Sequence, residues 1–201
     1  MLKIEKEYEK RYGEISKDSS ERILSLESSF RKNDHNILID EIERIKNIKW
    51  KRKTFVIYIL PKATPRPRLG VNGTFYVKGA QNNKKIFEKY LLNQNVNMIY
   101  TPTKFCCKSY FPIPKGMSRI EKVLAEMGLI RPISKPDWDN VGKSYCDMIQ
   151  GFLIYDDSLI IEGSSKKYYS TKPRIEITIS YMEDFDSQFN KKKMLKRKGE
   201  K

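Results

Sequence analysis

Residues 135–157 read KPDWDNVGKSYCDMIQGFLIYDD, and they hold five aspartates within twenty-one residues of a 201-residue chain whose formal net charge is +15. Like charges held close together raise one another's pKa and cost stability. Something outside the chain is expected to neutralise them. Periodicity gives the stretch its form. Pro136 suits a helix entrance or first turn. Trp138, Val141, Tyr145 and Met148, with Ile149 beside them, make one apolar stripe. Asp139, Lys143 and Asp147 recur at intervals of four and stack on another face. Gly142 is unfavourable inside a helix by about 1 kcal/mol relative to Ala and marks the close approach of another backbone. Gly151 ends the helix. Phe152 to Tyr155 then returns as a short extended piece to a turn at Asp156-Asp157.

Outward from this stretch, strands are predicted around Leu159 to Tyr169 and Arg174 to Tyr181. Upstream, Ser118-Arg-Ile-Glu121 is a capping box that opens a helix ended by Gly128. Asn97 to Phe111 reads as a strand region and Lys84 to Leu92 as a short helix. Asn72-Gly73 is a hairpin signal before Phe75 to Val77. The β-branched and aromatic run Thr54 to Leu60 is a strand that stops at Pro61. Residues 1–50 look helical and separate. Asp18-Ser-Ser-Glu21 has the capping-box pattern, followed by Ile23, Leu26 and Phe30, and a second stripe runs Leu38, Ile42, Ile45. The sequence therefore predicts an α+β protein with three parts: a helical hairpin over 1–50, a main domain over 51–186, and a basic, disordered tail over 187–201.

Charge divides along the same boundary. Residues 1–50 hold 11 basic and 11 acidic residues, while residues 51–201 hold 29 basic and 14 acidic ones. Five of those 14 acids are the aspartates of the opening stretch. The main domain reads as a basic shell around one acidic spot, and such a surface attracts polyanions, nucleic acid first among them. No apolar run approaches the roughly 18–20 residues of a membrane span. The three cysteines, Cys106, Cys107 and Cys146, have neither disulfide nor zinc-site spacing. The single histidine, His35, lies far from the aspartates and reads as a helix-surface or cap residue. Histidine-based nucleophilic mechanisms are poorly supported, and a soluble, cytoplasmic protein is expected.

Asp137 and Asp139 fall at a helix start, where the dipole favours carboxylates. Asp156 and Asp157 lie at a turn that a chain reversal could bring beside them. Converging carboxylates suit a hard divalent cation such as Mg2+, which prefers a few carboxylate oxygens, waters and phosphate oxygens. Lys143 could then stabilise charge on a phosphorane or orient the attacking water. Each piece also has a plain structural meaning: an Asp-x-Asp as a helix cap, an Asp-Asp as a turn, and Asp147 as a surface ion pair with Lys143. The restriction-nuclease template fits poorly, because Glu162-Gly-Ser-Ser-Lys166 has the wrong spacing for its acidic residue and lysine.

At these residues the sequence resembles the RusA family of bacterial and phage Holliday-junction resolvases. Lys135-Pro-Asp-Trp-Asp-Asn-Val-Gly-Lys143 is similar to the family's Lys-Pro-Asp-x-Asp-Asn-x-x-Lys. The likeness continues through Asp147, Gly151, Asp156-Asp157-Ser158, Lys167 and Pro173-Arg174. Upstream it includes Phe111-Pro-Ile-Pro-Lys115 and Thr64-Pro-Arg-Pro-Arg68. It covers roughly residues 54–181. The resemblance implies a small mixed β-sheet packed with helices, acting as a homodimer on branched, four-way DNA. It also implies paired symmetric nicks that depend on Mg2+, with Mn2+ as a substitute, in a bacterial or phage-infected cell. By position it makes Asp137, Asp139 and Asp157 the essential metal-binding carboxylates, with Asp156 beside them, and Lys143 the essential lysine. Arg66 and Arg68 are expected to contact DNA phosphates, as are Lys166 and Lys167. Two other readings stand beside this one: a catalytically idle DNA-binding replication-accessory protein, and a nuclease that prefers flaps or forks.

Overall fold

Alternating burial shows which face of each strand carries the fold. Phe55 and Ile57, then Thr103, Phe105, Cys107 and Ser109, then Ile175, Ile177 and Ile179 are buried, while the residues between them are not. This period of two is what a sheet with one packed face requires. The computed structural model describes residues 17–63, 68–70, 73–75, 80–92 and 97–183. Arg66, Asn72, Tyr76 and the tail over 187–201 lie outside the described residues.

The elements run α1 (Lys17–Glu27), α2 (Asp34–Asn47), β1 (Trp50–Ile57), β2 (Arg68–Gly70), β3 (Gly73–Phe75), α3 (Ala80–Leu92), β4 (Thr103–Pro112), α4 (Arg119–Glu126), α5 (Trp138–Ile149), a 3-10 turn (Asp157–Leu159), β5 (Ile160–Ser170) and β6 (Arg174–Met182). Two units divide between Ile48 and Lys49. The first holds α1 and α2, and neither helix buries a residue. Asp18 sits inside the first turn of α1 and pairs with Arg22 at 2.8 Å, so it does not form the expected cap. Phe30 falls beyond the end of α1 and meets the exposed His35 ring edge-on at 5.0 Å.

The second unit is α+β. Its four-stranded mixed sheet has the order β1-β6-β4-β5; β6 is antiparallel to both β1 and β4, and β4 is parallel to β5. A parallel pair needs a long crossover, and α4 and α5 both lie in the connection from β4 to β5. β2 and β3 form a separate two-stranded hairpin. Among the described residues no helix is long and apolar enough to cross a membrane.

The core joins the packed sheet face to α3 and α5. Val141, Tyr145, Met148 and Ile149 are all buried, and Tyr145 stacks on Phe87 of α3 at 5.4 Å. Burying each such side chain stabilises by about 1.5–3 kcal/mol. The Tyr145 hydroxyl accepts a hydrogen bond from the Lys62 N–H at 3.0 Å, so the ring is buried without stranding its polar tip. Trp138 departs from the predicted stripe and is 63% exposed. The first turn of α5 lies over the edge strand β5, where the Ser165 hydroxyl donates to the Trp138 carbonyl at 2.9 Å, so its side chain has no sheet interior to enter.

α4 begins with both arms of the predicted capping box. The Glu121 N–H donates to the Ser118 hydroxyl at 3.2 Å and the Ser118 N–H to the Glu121 carboxylate at 2.7 Å. Gly128, at φ +76°, turns the chain away against the Tyr168 ring. Glu126 accepts from the Ser170 hydroxyl at 2.9 Å and the Thr171 N–H at 2.6 Å, which ties the end of α4 to the β5–β6 turn.

Gly142 is the tightest contact in this arrangement. A Cβ there would lie 2.9 Å from Cβ of Ser165, a side-chain atom next to the strand rather than the backbone neighbour expected. Neither atom can swing away, so α5 would have to lift from β5. Gly142→Ala gains about 1 kcal/mol of helix propensity but incurs an overpacking cost of about 1–3 kcal/mol. A net loss of about 1 kcal/mol in urea unfolding is expected; an unchanged or higher midpoint would contradict the packing.

Candidate active site

The aspartates take different positions because different backbone geometries hold them. Asp137 is the N-cap of α5, with extended φ −63° and ψ 148°, and its side chain makes no capping hydrogen bond. Its carbonyl accepts the first helical bond, from the Val141 N–H at 3.1 Å. Asp139 lies in the first turn of the same helix, where the dipole favours a carboxylate.

After Gly151, at φ +80°, the chain plugs Leu153 and Ile154 into the core. Ile99 clasps this return from both sides: its N–H donates to the Leu153 carbonyl at 2.8 Å and its carbonyl accepts from the Tyr155 N–H at 3.0 Å. The predicted extended piece is thus a turn followed by a short bridge at Ile154. Asp156 then caps the 3-10 turn, accepting from the Ser158 N–H at 3.0 Å, and Asp157 follows as its first residue.

A cleft of about 380 Å³ opens between α5 and strands β4 and β5. Asp139, Lys143 and Trp138 line it from α5, Asp157 from the turn, Phe105 from β4, and Ile160 and Gly163 to Ser165 from β5. The structure therefore brings Asp139, Lys143 and Asp157 into the lining of one cleft. Asp137 and Asp156 fall outside that lining. Lys143 also reaches Asp147 at 3.5 Å, with 71% and 52% of the two side chains exposed. Such a pair is worth under about 1 kcal/mol, so the lysine is lightly held. Among the described residues no three His, Cys, Asp or Glu side chains gather closely enough to hold an ion by themselves.

Cys146 shares the cleft. Burial, with the Asp157 and Asp147 carboxylates adding to it, pushes its thiol up to about 11, so it is protonated at neutral pH and offers no thiolate. Of the expected DNA contacts, Arg68 opens β2. Lys166 is exposed on β5, while Lys167 alternates to the other face and is half-buried. Its ammonium donates to the carbonyls of Ser134 at 2.7 Å and Pro136 at 2.9 Å. The hydrogen bonds of Ser165 and Lys167 at the entrance to α5 join segments about thirty residues apart and leave no local pattern in the sequence. Gly142, the mid-helix glycine, is the one sequence feature that points to this contact.

Residues 59–180 match the family described as Endodeoxyribonuclease RusA, a span that includes the whole cleft. The chain belongs to the RusA family. A Bacillus subtilis (strain 168) protein described as "Uncharacterized protein YqaN" is similar, with 33% identity over 133 residues, 62% of this chain and 93% of that protein. RusA proteins are endodeoxyribonucleases, and the nuclease class of this chain rests on that family. The helices α1 and α2 precede the matched region.

Asp139→Asn and Asp157→Asn are expected to reduce DNA nicking by roughly two orders of magnitude or more, the equivalent of several kcal/mol. Asp156→Asn should retain most of the rate, because Asn also caps well. Nicking assays on folded variants check this, and equal losses at Asp156 and Asp157 would contradict the division between them.

Proposed function

We propose that the chain is a metal-dependent, structure-selective endodeoxyribonuclease that resolves four-way (Holliday) junctions by paired, symmetric nicks. The observation that carries this reading is that Asp139, Asp157 and Lys143 line one cleft in a chain of net charge +15. An acidic cleft repels a phosphodiester unless a cation lies between them.

The donor set fits such a cation. Asp139 and Asp157 are hard oxygen donors at an open cleft, and Mg2+ commonly takes one or two carboxylates, keeps several waters and adds substrate phosphate oxygens. Asp139 and Asp157 would hold Mg2+, or Mn2+ in its place, with Asp137 at the helix entrance beside them. When bound, the ion supplies positive charge that offsets the phosphate and the developing negative charge of hydrolysis. Lys143 does the same from the protein side, its ammonium stabilising charge on the phosphate oxygens. Its loose pairing with Asp147 leaves it able to turn toward substrate. Lys166, exposed on β5, is suited to a backbone phosphate, and Arg66 and Arg68 keep the same role from their sequence context.

A four-way junction has two-fold symmetry, so paired nicks call for two active sites in a two-fold protein. The outer face of α4 supports a homodimer. Ile120, Val123 and Met127 are exposed there, on a helix whose two basic and two acidic residues cancel. That is a place where two strongly basic chains can meet without repulsion.

The test is a panel of four-way junction, fork, flap and plain duplex, each with Mg2+ and with EDTA. Paired nicks in opposing junction strands, lost in EDTA, are expected. Preferential cutting of the flap or fork would move the substrate assignment. Salt-sensitive binding without nicking under any divalent ion would favour the idle DNA-binding reading.

A further inference from the structure

The chain entering α5 is held from below by side chains of a single strand. The carbonyls of Ser134, Pro136 and Trp138 accept hydrogen bonds at 2.7, 2.9 and 2.9 Å, the first two from the Lys167 ammonium and the third from the Ser165 hydroxyl. Asp137 and Asp139 are the residues that alternate with these pinned carbonyls. Ser134 and Pro136 precede the helix, so their carbonyls belong to no helical ladder, and a half-buried ammonium is what anchors them. The two β5 residues are themselves alternate positions on the strand face that meets α5, while Lys166 between them is exposed.

We infer that Lys167 is a positioning residue for the metal-binding carboxylates and not a DNA contact. It fixes the main chain on both sides of residue 135 and so sets where Asp137 and Asp139 stand relative to Asp157. Ser165 completes the same support one carbonyl further on. This inference rests on the metal-dependent nuclease reading, and extends it to a residue outside the cleft lining. A lysine committed to two carbonyls has its donors directed into the protein, whereas a phosphate-binding lysine must present them to solvent. The neighbouring Lys166 presents its own outward and serves as the internal comparison.

The experiment uses the full-length chain as wild type, Lys167→Met, Lys167→Arg, Lys166→Met and Ser165→Ala. Two quantities are measured: Mn2+ affinity without DNA, by titration calorimetry, and affinity for a four-way junction in EDTA as a function of salt. Lys167→Met should weaken Mn2+ binding by roughly 10-fold or more, the usual effect of losing an outer-shell support. Its junction affinity and salt slope should stay at the wild-type values. Lys167→Arg, which keeps the donors, should recover part of the Mn2+ affinity. Lys166→Met should do the reverse, leaving Mn2+ binding intact and reducing the salt slope by about 1. If Lys167→Met does not fold, Ser165→Ala decides, with a smaller loss of Mn2+ affinity at unchanged junction binding expected. Weakened junction binding with a reduced slope and unaltered Mn2+ affinity in Lys167→Met would overturn the assignment while leaving the nuclease reading standing. Absence of Mn2+ binding in the wild type would overturn both.

Discussion

The contact between Gly142 and Ser165 governs how closely α5 can approach β5, and the cleft is built on that approach. One helix carries Asp139 and Lys143, and the strand beneath it forms the opposite wall. With no Cβ at residue 142 the helix settles far enough for the Ser165 hydroxyl to reach the Trp138 carbonyl and for Lys167 to reach the two before it. On its other side Val141, Tyr145, Met148 and Ile149 seal the core. The same element therefore seals the core on one face and lines the cleft with Asp139 and Lys143 on another. Substitutions that loosen the first are expected to disturb the second.

Asp157 reaches the same cleft by a different route. A glycine turn at Gly151, two buried residues at 153 and 154, and the clasp by Ile99 hold the return, so the turn at 156–157 is set against α5 by core packing. Within that turn a division of labour follows from backbone geometry. Asp156 uses its carboxylate to cap the turn, while Asp157 faces the cleft. Adjacent identical residues thus stand in different settings, one capping the turn and the other lining the cleft.

Much of this was legible in local patterns. The Ser118 box, the buried members of the α5 stripe and the alternating strands β4 and β6 were readable because each signal lies within one element, where period and capping chemistry act directly. β1 begins at Trp50, ahead of the apolar run that announced it, because ladder hydrogen bonds with β6 continue past the buried residues to Met182. Trp138 misled because helical periodicity does not say where the sheet beneath ends. That Asp139 and Asp157 line one cleft, and that Lys167 reaches Ser134 and Pro136, depend on contacts between distant segments, which spacing along the chain does not encode. The family resemblance named Asp137, Asp139 and Asp157 as a set; of these, Asp139 and Asp157 line the cleft and Asp137 falls outside the lining.

The central claim is that Asp139 and Asp157 face one cation across the cleft between α5 and β5. Anomalous diffraction at the manganese edge from crystals of the full-length protein grown with Mn2+ tests it most directly. A peak within coordination distance of both carboxylates, lost in Asp139→Asn, is the predicted result. Manganese bound elsewhere, or both carboxylates turned away from any ion at saturating Mn2+, would contradict it.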